Sequence, residues 1–362
     1  MTEAPIAAVA PVFTVDGEVV RELARDCVRL VVSEGTEGLR RLELHLLAVG
    51  IGKTGADDDF AHLDGTTIDL GRNVTVALGP DDERRFVFDG QVSALELILG
   101  DGDPAVVAVH AEDALMRLRM TRRMRTYNQV TDADIAAELA REHGLQSQVA
   151  ADGPRYDVIQ QANQSDLAFL RERARLVQAE VWADGRTLHF TDRAHRQGTE
   201  LTLVRGGNLI SSRLVADLAG QRDAVHVTGW DAALKQLVDE RAGADVVEAE
   251  VTSGRTGARV VAQALGASTT LRVRDAALNG DEARAWARAE MLRRGRRFVT
   301  VHGTTTGTPD LGVGSLLTLQ GVGAPFSGPG YYATSVRHTF DLRFGFRSRF
   351  EAERATVNEV RQ

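Results

Sequence analysis

The residues that could perform acid–base or metal chemistry are scattered along the 362-residue chain. Its nine histidines include no His-x-x-x-His pair and no His-Glu-x-x-His motif, so the spacing typical of zinc sites is missing. The Gly-x-Ser-x-Gly motif of serine hydrolases is also missing. We therefore predict no catalytic, cofactor-binding or metal-ligating residue, and no cofactor.

Two short motifs resemble ligand sites and are interpreted as loops. Gly52-Lys53-Thr54 ends like a phosphate-binding loop, but the upstream glycine of that motif would stand at position 47, which is Leu47. The run 57–59 is three adjacent aspartates, whereas calcium loops of the EF-hand type alternate their acids with other residues. Adjacent carboxylates repel one another, which is typical of a solvated loop.

A run of arginines is the sharpest charged feature. It has three interpretations: a nucleic-acid groove, a strip of salt bridges between subunits, or a solvated face. The net charge of −8 counts against a general nucleic-acid binder. The run comprises Arg117, Arg119, Arg122, Arg123 and Arg125.

The remaining composition indicates a folded protein assembled in a reducing cytoplasm. Cys27 is the only cysteine, which excludes an intramolecular disulfide, and its alternating surroundings favour a core position. No apolar run approaches the roughly 20 residues that cross a bilayer, and the N-terminus lacks the pattern of a signal peptide. Trp182, Trp230 and Trp286 are dispersed, which favours packing roles over a sugar-binding platform.

The elements that would position these residues fall into three blocks. Residues 1–113 read as a first antiparallel β-barrel, because short alternating runs are separated by turn signals. Residues 114–200 read as a small α/β domain. Residues 201–362 read as a second β-barrel with an inserted segment at about 240–297. The predicted fold class is mainly β with an α/β insertion.

Two helices of the middle block have visible start signals. Thr131 and Asp134 form a capping box, and the helix should end near His143 with Gly144 after it. A second helix is predicted to begin at Asn163.

Two segments far apart in the chain resemble each other and predict an internal duplication. Asp69-Leu70-Gly71 precedes a strand, a loop and an aromatic-led strand, and so does Asp310-Leu311-Gly312. We predict that the segments beginning at Asp69 and Asp310 are matching strands of two similar barrels.

Two longer motifs resemble the phage late control D family and the VgrG-type proteins of contractile injection systems. The first runs from His110 through the arginine run to the capping box. The second fits the family pattern Gln-x-x-Asn-x-Ser-Asp-x-x-Phe-Leu-x-Arg in part. The residues at comparable places are Gln161, Asn163, Ser165, Asp166, Phe169, Leu170 and Arg173. The strand at 332–338 resembles the one that closes the second barrel.

This resemblance implies a tail-hub-like fold and a structural baseplate hub, not an enzyme. Such a hub is a homotrimer that joins a six-fold inner tube to a three-fold spike and contacts other baseplate proteins. The chain stops soon after the second barrel, so it resembles a stand-alone hub that docks a separate spike protein. It would assemble in the cytoplasm and then form part of a phage tail or injection particle. No membrane partner is expected, and nucleic acid would at most pass through the lumen.

Two rival functions belong to other classes. A tail-associated cell-wall hydrolase or effector enzyme would need a carboxylate pair or a Cys/His site in a cleft. A carbohydrate- or receptor-binding module would need exposed aromatic platforms, for which an aromatic content of 5% is a poor source.

Overall fold

The computed structural model describes residues 10–48, 60–79, 84–266 and 271–359. The loop motif at 52–54 and the aspartates at 57–59 lie outside these residues. No helix in the described ranges is long and apolar enough to cross a membrane.

The first block is built from strands and one short helix. Its elements are β1 (Val12–Val15), β2 (Glu18–Val19), α1 (Arg21–Asp26), β3 (Cys27–Gly35), β4 (Arg41–Leu47), β5 (Asn73–Leu78), β6 (Arg85–Ile98) and β7 (Val106–Glu112). Cys27 is buried at the start of β3, as predicted.

The middle block alternates helices and strands. Its elements are α2 (Met116–Met120), β8 (Arg122–Val130), α3 (Asp132–Glu142), β9 (Gln146–Ala150), β10 (Tyr156–Ser165), α4 (Asp166–Val177), β11 (Ala179–Asp184) and β12 (Thr187–Asp192). A single 3-10 turn, Arg193–His195, follows.

The last block returns to strands after an interruption. Its elements before the interruption are β13 (Glu200–Val204) and β14 (Leu209–Ala216). The interruption holds β15 (Ala224–Asp231), β16 (Gln236–Gly243), α5 (Asp245–Glu248), β17 (Arg255–Thr256), α6 (Gly257–Leu265), β18 (Leu271–Ala277) and α7 (Gly280–Arg296). The strands that follow are β19 (Val299–Thr306), β20 (Leu316–Gln320), β21 (Gly328–Asp341), β22 (Gly345–Arg354) and β23 (Thr356–Val357).

One 13-stranded sheet contains most strands of the first and last blocks. Its order is β14-β19-β22-β21-β3-β4-β7-β6-β5-β1-β2, with β20 and β13 branching from β21. The mainly β fold with helical insertions is confirmed. Among the described strands the sheet is continuous and open, so two separately closed barrels are not seen.

The two ends of this sheet repeat one strand connectivity. We call β1 and β3–β7 module 1, and β13, β14 and β19–β22 module 2. In module 1 the pairs are β1–β5, β5–β6, β6–β7, β7–β4 and β4–β3. In module 2 the strands at the same places in chain order pair in the same way: β13–β20, β20–β21, β21–β22, β22–β19 and β19–β14. One pairing differs, because β1 is antiparallel to β5 whereas β13 is parallel to β20.

The modules also share their irregularities. A bulge separates Val92 from Ala94 where β6 meets β7, and another separates Ala333 from Ser335 where β21 meets β22. Bulges interrupt register at particular residues, so they fix the equivalent positions of two strands. Ala94 is thus equivalent to Ser335.

The predicted match of the two Asp-Leu-Gly segments holds for the strands but not for the tripeptide. Gly71 N donates to Val92 O at 2.9 Å, and Gly314 N donates to the equivalent Ala333 O at 2.9 Å. Both glycines have positive φ, 81° and 92°. Gly71 is therefore equivalent to Gly314 rather than Gly312, so the tripeptides are two residues out of phase.

Each module has its own hydrophobic core. One cluster is formed mainly by module 1 and includes Phe13, Leu30 and Phe88. Another is formed by module 2 and includes Leu203, Val301 and Tyr331. The helices of the middle block pack around a third cluster and α7 packs around a fourth.

The helix starts in the middle block are partly as predicted. Thr131 and Asp134 form the capping box of α3, and Gly144 follows its end with φ 68°. The predicted start of the next helix at Asn163 is wrong. Asn163 lies in a bulge of β10 with φ 52°, and Ser165 caps α4 by accepting from Ala168 N at 3.2 Å.

Candidate assembly interface

The two modules are joined edge to edge within the chain. Strand β3 of module 1 pairs antiparallel with the second half of β21, from Ser335 opposite Gly35 to Asp341 opposite Arg29. We call this pairing the internal joint. Phe340 of module 2 lies in it and packs into the core cluster of module 1, so the joint is both hydrogen-bonded and apolar.

A buried network of ion pairs lies at one end of the internal joint. Glu34 of β3 accepts from Arg40 at 2.7 Å and from Arg196 at 2.5 Å. Arg196 also donates to Glu180 of β11 at 3.2 Å. Tyr332 of β21 donates to the same Glu180 carboxylate at 2.9 Å. One network therefore ties module 1, the middle block and module 2 together.

Aromatic rings complete this network. The Arg196 guanidinium lies 4.3 Å from the centroid of Trp182, and Arg193 lies 4.0 Å from that of Tyr332. Burial, together with the Glu180 carboxylate, raises the pKa of Tyr332, so its hydroxyl stays a donor. Cation–π contacts are stronger when desolvated, as they are for the buried Arg196.

A cleft of about 1010 Å³ opens beside the network. Module 1, the middle block, α7 and module 2 all contribute to its walls. The ionisable side chains that line it include Glu37, Arg41, Arg171, Arg293, Arg297, His302 and Glu351. Several of these are already engaged: Arg171 donates to Glu37 O at 2.8 Å, and Arg293 pairs with Glu290 at 2.7 Å. The cleft thus presents mixed charge suited to polar contacts.

His338 is a buried titratable group in the internal joint. It lies in β21 between β3 and β22, and its Nδ1 is 2.9 Å from Ser348 Oγ. Burial, and to a smaller degree the Arg40 guanidinium, lowers the pKa of His338 to about 4. The native joint therefore holds a neutral imidazole at neutral pH.

This gives an acid sensitivity with a defined sign. An unfolded histidine has a pKa of about 6.5. Between about pH 6.5 and 4 the unfolded state therefore binds more protons than the native state, and the free energy of unfolding falls as the pH is lowered. The His338→Asn variant can keep the bond to Ser348 but cannot titrate. By pH 5, wild type should lose about 2 kcal/mol of unfolding free energy relative to this variant.

The measurement is urea unfolding of both proteins between pH 7.5 and 5. Burial raises the pKa of Asp113 to about 6. The contribution of Asp113 to the free energy of unfolding therefore increases as the pH is lowered, opposite to that of His338. Because both proteins carry Asp113, subtracting the two curves removes it. If the difference in unfolding free energy between wild type and His338→Asn stays constant from pH 7.5 to 5, His338 is not held neutral.

The residues of the second sequence motif lie in the middle block and are structural. The Asp166 carboxylate is fully buried and accepts from Arg123 Nε at 2.9 Å and from Gln161 Nε2 at 2.9 Å. His143 Nε2 lies 2.8 Å from it. Phe169 and Leu170 are core residues. Arg173, the arginine of the motif, donates to Asp132 at 2.6 Å.

The arginine run is largely paired within the chain. Arg119 binds Glu112 at 2.6 Å, Arg123 binds Asp166, and Arg125 binds Glu142 at 2.7 Å and also Glu138. Arg122 donates to the Asn163 carbonyl, while Arg117 is exposed on α2. These contacts are intramolecular, which leaves little of the run for a phosphate groove.

The tryptophans have different environments. Trp182 stacks on His189 with ring centroids 4.4 Å apart, and Trp286 Nε1 lies 3.5 Å from Tyr156 Oη. Trp230 is exposed on β15. No group of three or more His, Cys, Asp or Glu suited to a metal occurs in the ranges given above.

Sequence reasoning placed Tyr332 in the strand at 332–338 but singled out none of the charged residues of the ion-pair network. Glu34, Glu180, Arg196 and Tyr332 lie far apart in the chain, and no fixed spacing connects them. The available signal was weak: Glu180 and Glu34 are acids at positions within alternating strands.

Comparison with known proteins places this architecture in a family. A family model described as the Alg8 N-terminal domain matches residues 15–341. The chain belongs to the Alg8 N-terminal domain family. No curated protein matches it by sequence.

Solved structures share the fold of this family member at low sequence identity. The prophage MuSo2 43 kDa tail protein from Shewanella oneidensis gives a TM-score of 0.66 at 15% identity, over 96% of this chain and 98% of that one. The tail protein from Neisseria meningitidis MC58 gives 0.63 at 13%, over 96% of each.

A third match comes from a secretion system. The E. coli c3393 protein gives a TM-score of 0.56 at 13% identity, over 93% of this chain and 76% of that one. It is described as a component of the type VI secretion system with structural similarity to the T4 bacteriophage tail proteins gp27 and gp5. The predicted resemblance to tail and VgrG-type proteins is thus confirmed for the fold.

Proposed function

We propose that this chain is a structural baseplate hub of a contractile injection system or phage tail. In this role, three copies form a ring that joins a six-fold inner tube to a three-fold spike. The observation that carries the proposal is the pair of modules with one strand connectivity and matching bulges. Three chains of two modules would present six similar units.

The fold comparisons support the same role. The matched proteins are named as tail proteins, one of them from a prophage, or as a type VI secretion component, and they match over most of their own lengths. We further propose that 1–113, 114–200 and 201–362 are the domains, that each module is a barrel-like unit of the ring, and that a separate spike protein seats on it. Tube and other baseplate proteins would be the further partners.

The mass of the purified chain in solution tests this proposal. Native mass spectrometry at micromolar concentration should give a species of three times the 39.2 kDa chain mass, and negative-stain images should show a ring with six similar lobes. A chain that stays monomeric even when tube and spike proteins are co-expressed would overturn it. Turnover of peptidoglycan by the purified chain would favour the hydrolase instead.

A further inference from the structure

Each strand of the internal joint has an equivalent in the other module, and those two equivalent strands do not pair with each other within the described residues of the chain. The joint is formed by the second strand of module 1, β3, and by the second half of the fifth strand of module 2, β21. The equivalent of β3 in module 2 is β14, and the equivalent of β21 in module 1 is β6. Bulges fix the equivalent positions of β3 and β14. One bulge separates Cys27 from Arg29 in β3, and another separates Leu209 from Ser211 in β14, so Arg29 is equivalent to Ser211.

Both equivalent strands have an open edge in the part of the chain that the structure describes. From Ser211 to Ala216, strand β14 pairs there only with β19. From Ala94 to Ile98, β6 pairs only with β7, because its pairing with β5 ends at Gln91. Open edges present unpaired N–H and C=O groups that invite another strand, so proteins usually cover them.

We propose that β14 of one copy pairs with β6 of the next copy, antiparallel and in the register of the internal joint. This deepens the proposed ring, on which it rests, by assigning its intermolecular contact. Transferring the register through the bulges places Leu214 opposite Leu97 of the next copy. On either side, Arg213 lies opposite Ile98, and Val215 lies opposite Glu96.

The side chains suit this pairing. Leu97 and Leu214 are partly exposed in the single chain and become a cross-strand apolar pair. Glu96 and Arg213, both exposed, become diagonal neighbours of opposite charge on the other face.

An exposed leucine marks the same contact. Phe340, one residue past Thr339 in β21, is only 8% exposed because it packs into the core of module 1. Its equivalent, Leu99, follows Ile98 in β6 and is 63% exposed. In the proposed pairing Leu99 packs against module 2 of the neighbouring copy.

A second copy of this chain is the occupant that these edges fit. Strand β14 and the edge of β6 lie on different modules, so the contact is head to tail, and head-to-tail contacts close into rings when the rotation permits. An internal precedent already exists in the β3–β21 pairing. A different partner strand would not need to match the bulges at both edges.

Disulfide trapping tests the register. Each chain would carry Leu97→Cys and Leu214→Cys, and the purified oligomer would be oxidised with copper phenanthroline. The control, Leu97→Cys with Val215→Cys, moves one thiol to the opposite face of β14. The first pair should cross-link about tenfold faster and give a ladder up to the full ring on a non-reducing gel. Wild type, whose Cys27 is buried, should give none.

A second variant keeps the test decisive if the cysteines disturb assembly. Leu99→Arg should yield a folded monomer, whereas Leu265→Arg, at an exposed site on α6, should still form the oligomer. An oligomer that persists with Leu99→Arg, or that cross-links equally through both cysteine pairs, would overturn the pairing and leave the ring standing. A wild-type chain that never oligomerises would overturn both.

Discussion

Replacing Asp166 with alanine should lower the free energy of unfolding by about 3–5 kcal/mol, because it leaves buried polar partners without their acceptor. The carboxylate is 0% exposed. It accepts from Arg123 and Gln161 and lies 2.8 Å from His143. Since β8, the C-cap of α3, β10 and α4 all supply a member of this cluster, the loss should destabilise the whole middle block.

The matched control for this variant is Asp134→Ala. Asp134 also lies at the start of a helix, but it is solvent-exposed. It forms the capping box of α3 and an exposed ion pair with Arg155 at 3.8 Å. Its loss should cost about 1 kcal/mol. Urea unfolding followed by far-ultraviolet circular dichroism at pH 7 measures both variants. Equal losses in the two would mean that the Asp166 cluster adds nothing beyond an ordinary helix cap.

Local signals predicted the elements that depend on neighbours in sequence. The α3 capping box needs only Thr131 and Asp134, three residues apart, and it formed as predicted. The predicted start of the second helix at Asn163 is wrong because Asn163 is also a good capping residue. What decides the start is the β8–β10 pairing, whose bulge puts Asn163 in the strand and leaves Ser165 as the cap.

The internal joint could not be predicted in the same way. It pairs β3 with β21, strands at opposite ends of the chain, and no local sequence signal specifies which residue of β3 lies opposite which residue of β21. The Asp-Leu-Gly repeat pointed to the correct hairpins, yet its tripeptides are two residues out of phase. Only the hydrogen bonds of Gly71 and Gly314 fix the equivalence.

The ion-pair network beside the joint gives the second large effect. Replacing Arg196 with methionine should cost about 3–5 kcal/mol of unfolding free energy, because it removes one partner from buried carboxylates. Arg196 is 7% exposed and bridges Glu34 at 2.5 Å and Glu180 at 3.2 Å. Methionine keeps the apolar stem of the side chain but has no guanidinium, so the loss combines the missing ion pairs with the missing cation–π contact to Trp182.

The control is Arg284→Met, which removes an arginine with two ion pairs at the surface. Its side chain is 63% exposed and pairs with Asp281 at 3.0 Å and Glu240 at 3.1 Å. Exposed pairs contribute about 0–1 kcal/mol, since water screens them. Guanidinium unfolding of both variants separates the cases. A loss for Arg196→Met no larger than that for Arg284→Met would mean that β3–β21 pairing and the apolar contact of Phe340 hold the modules together without the network.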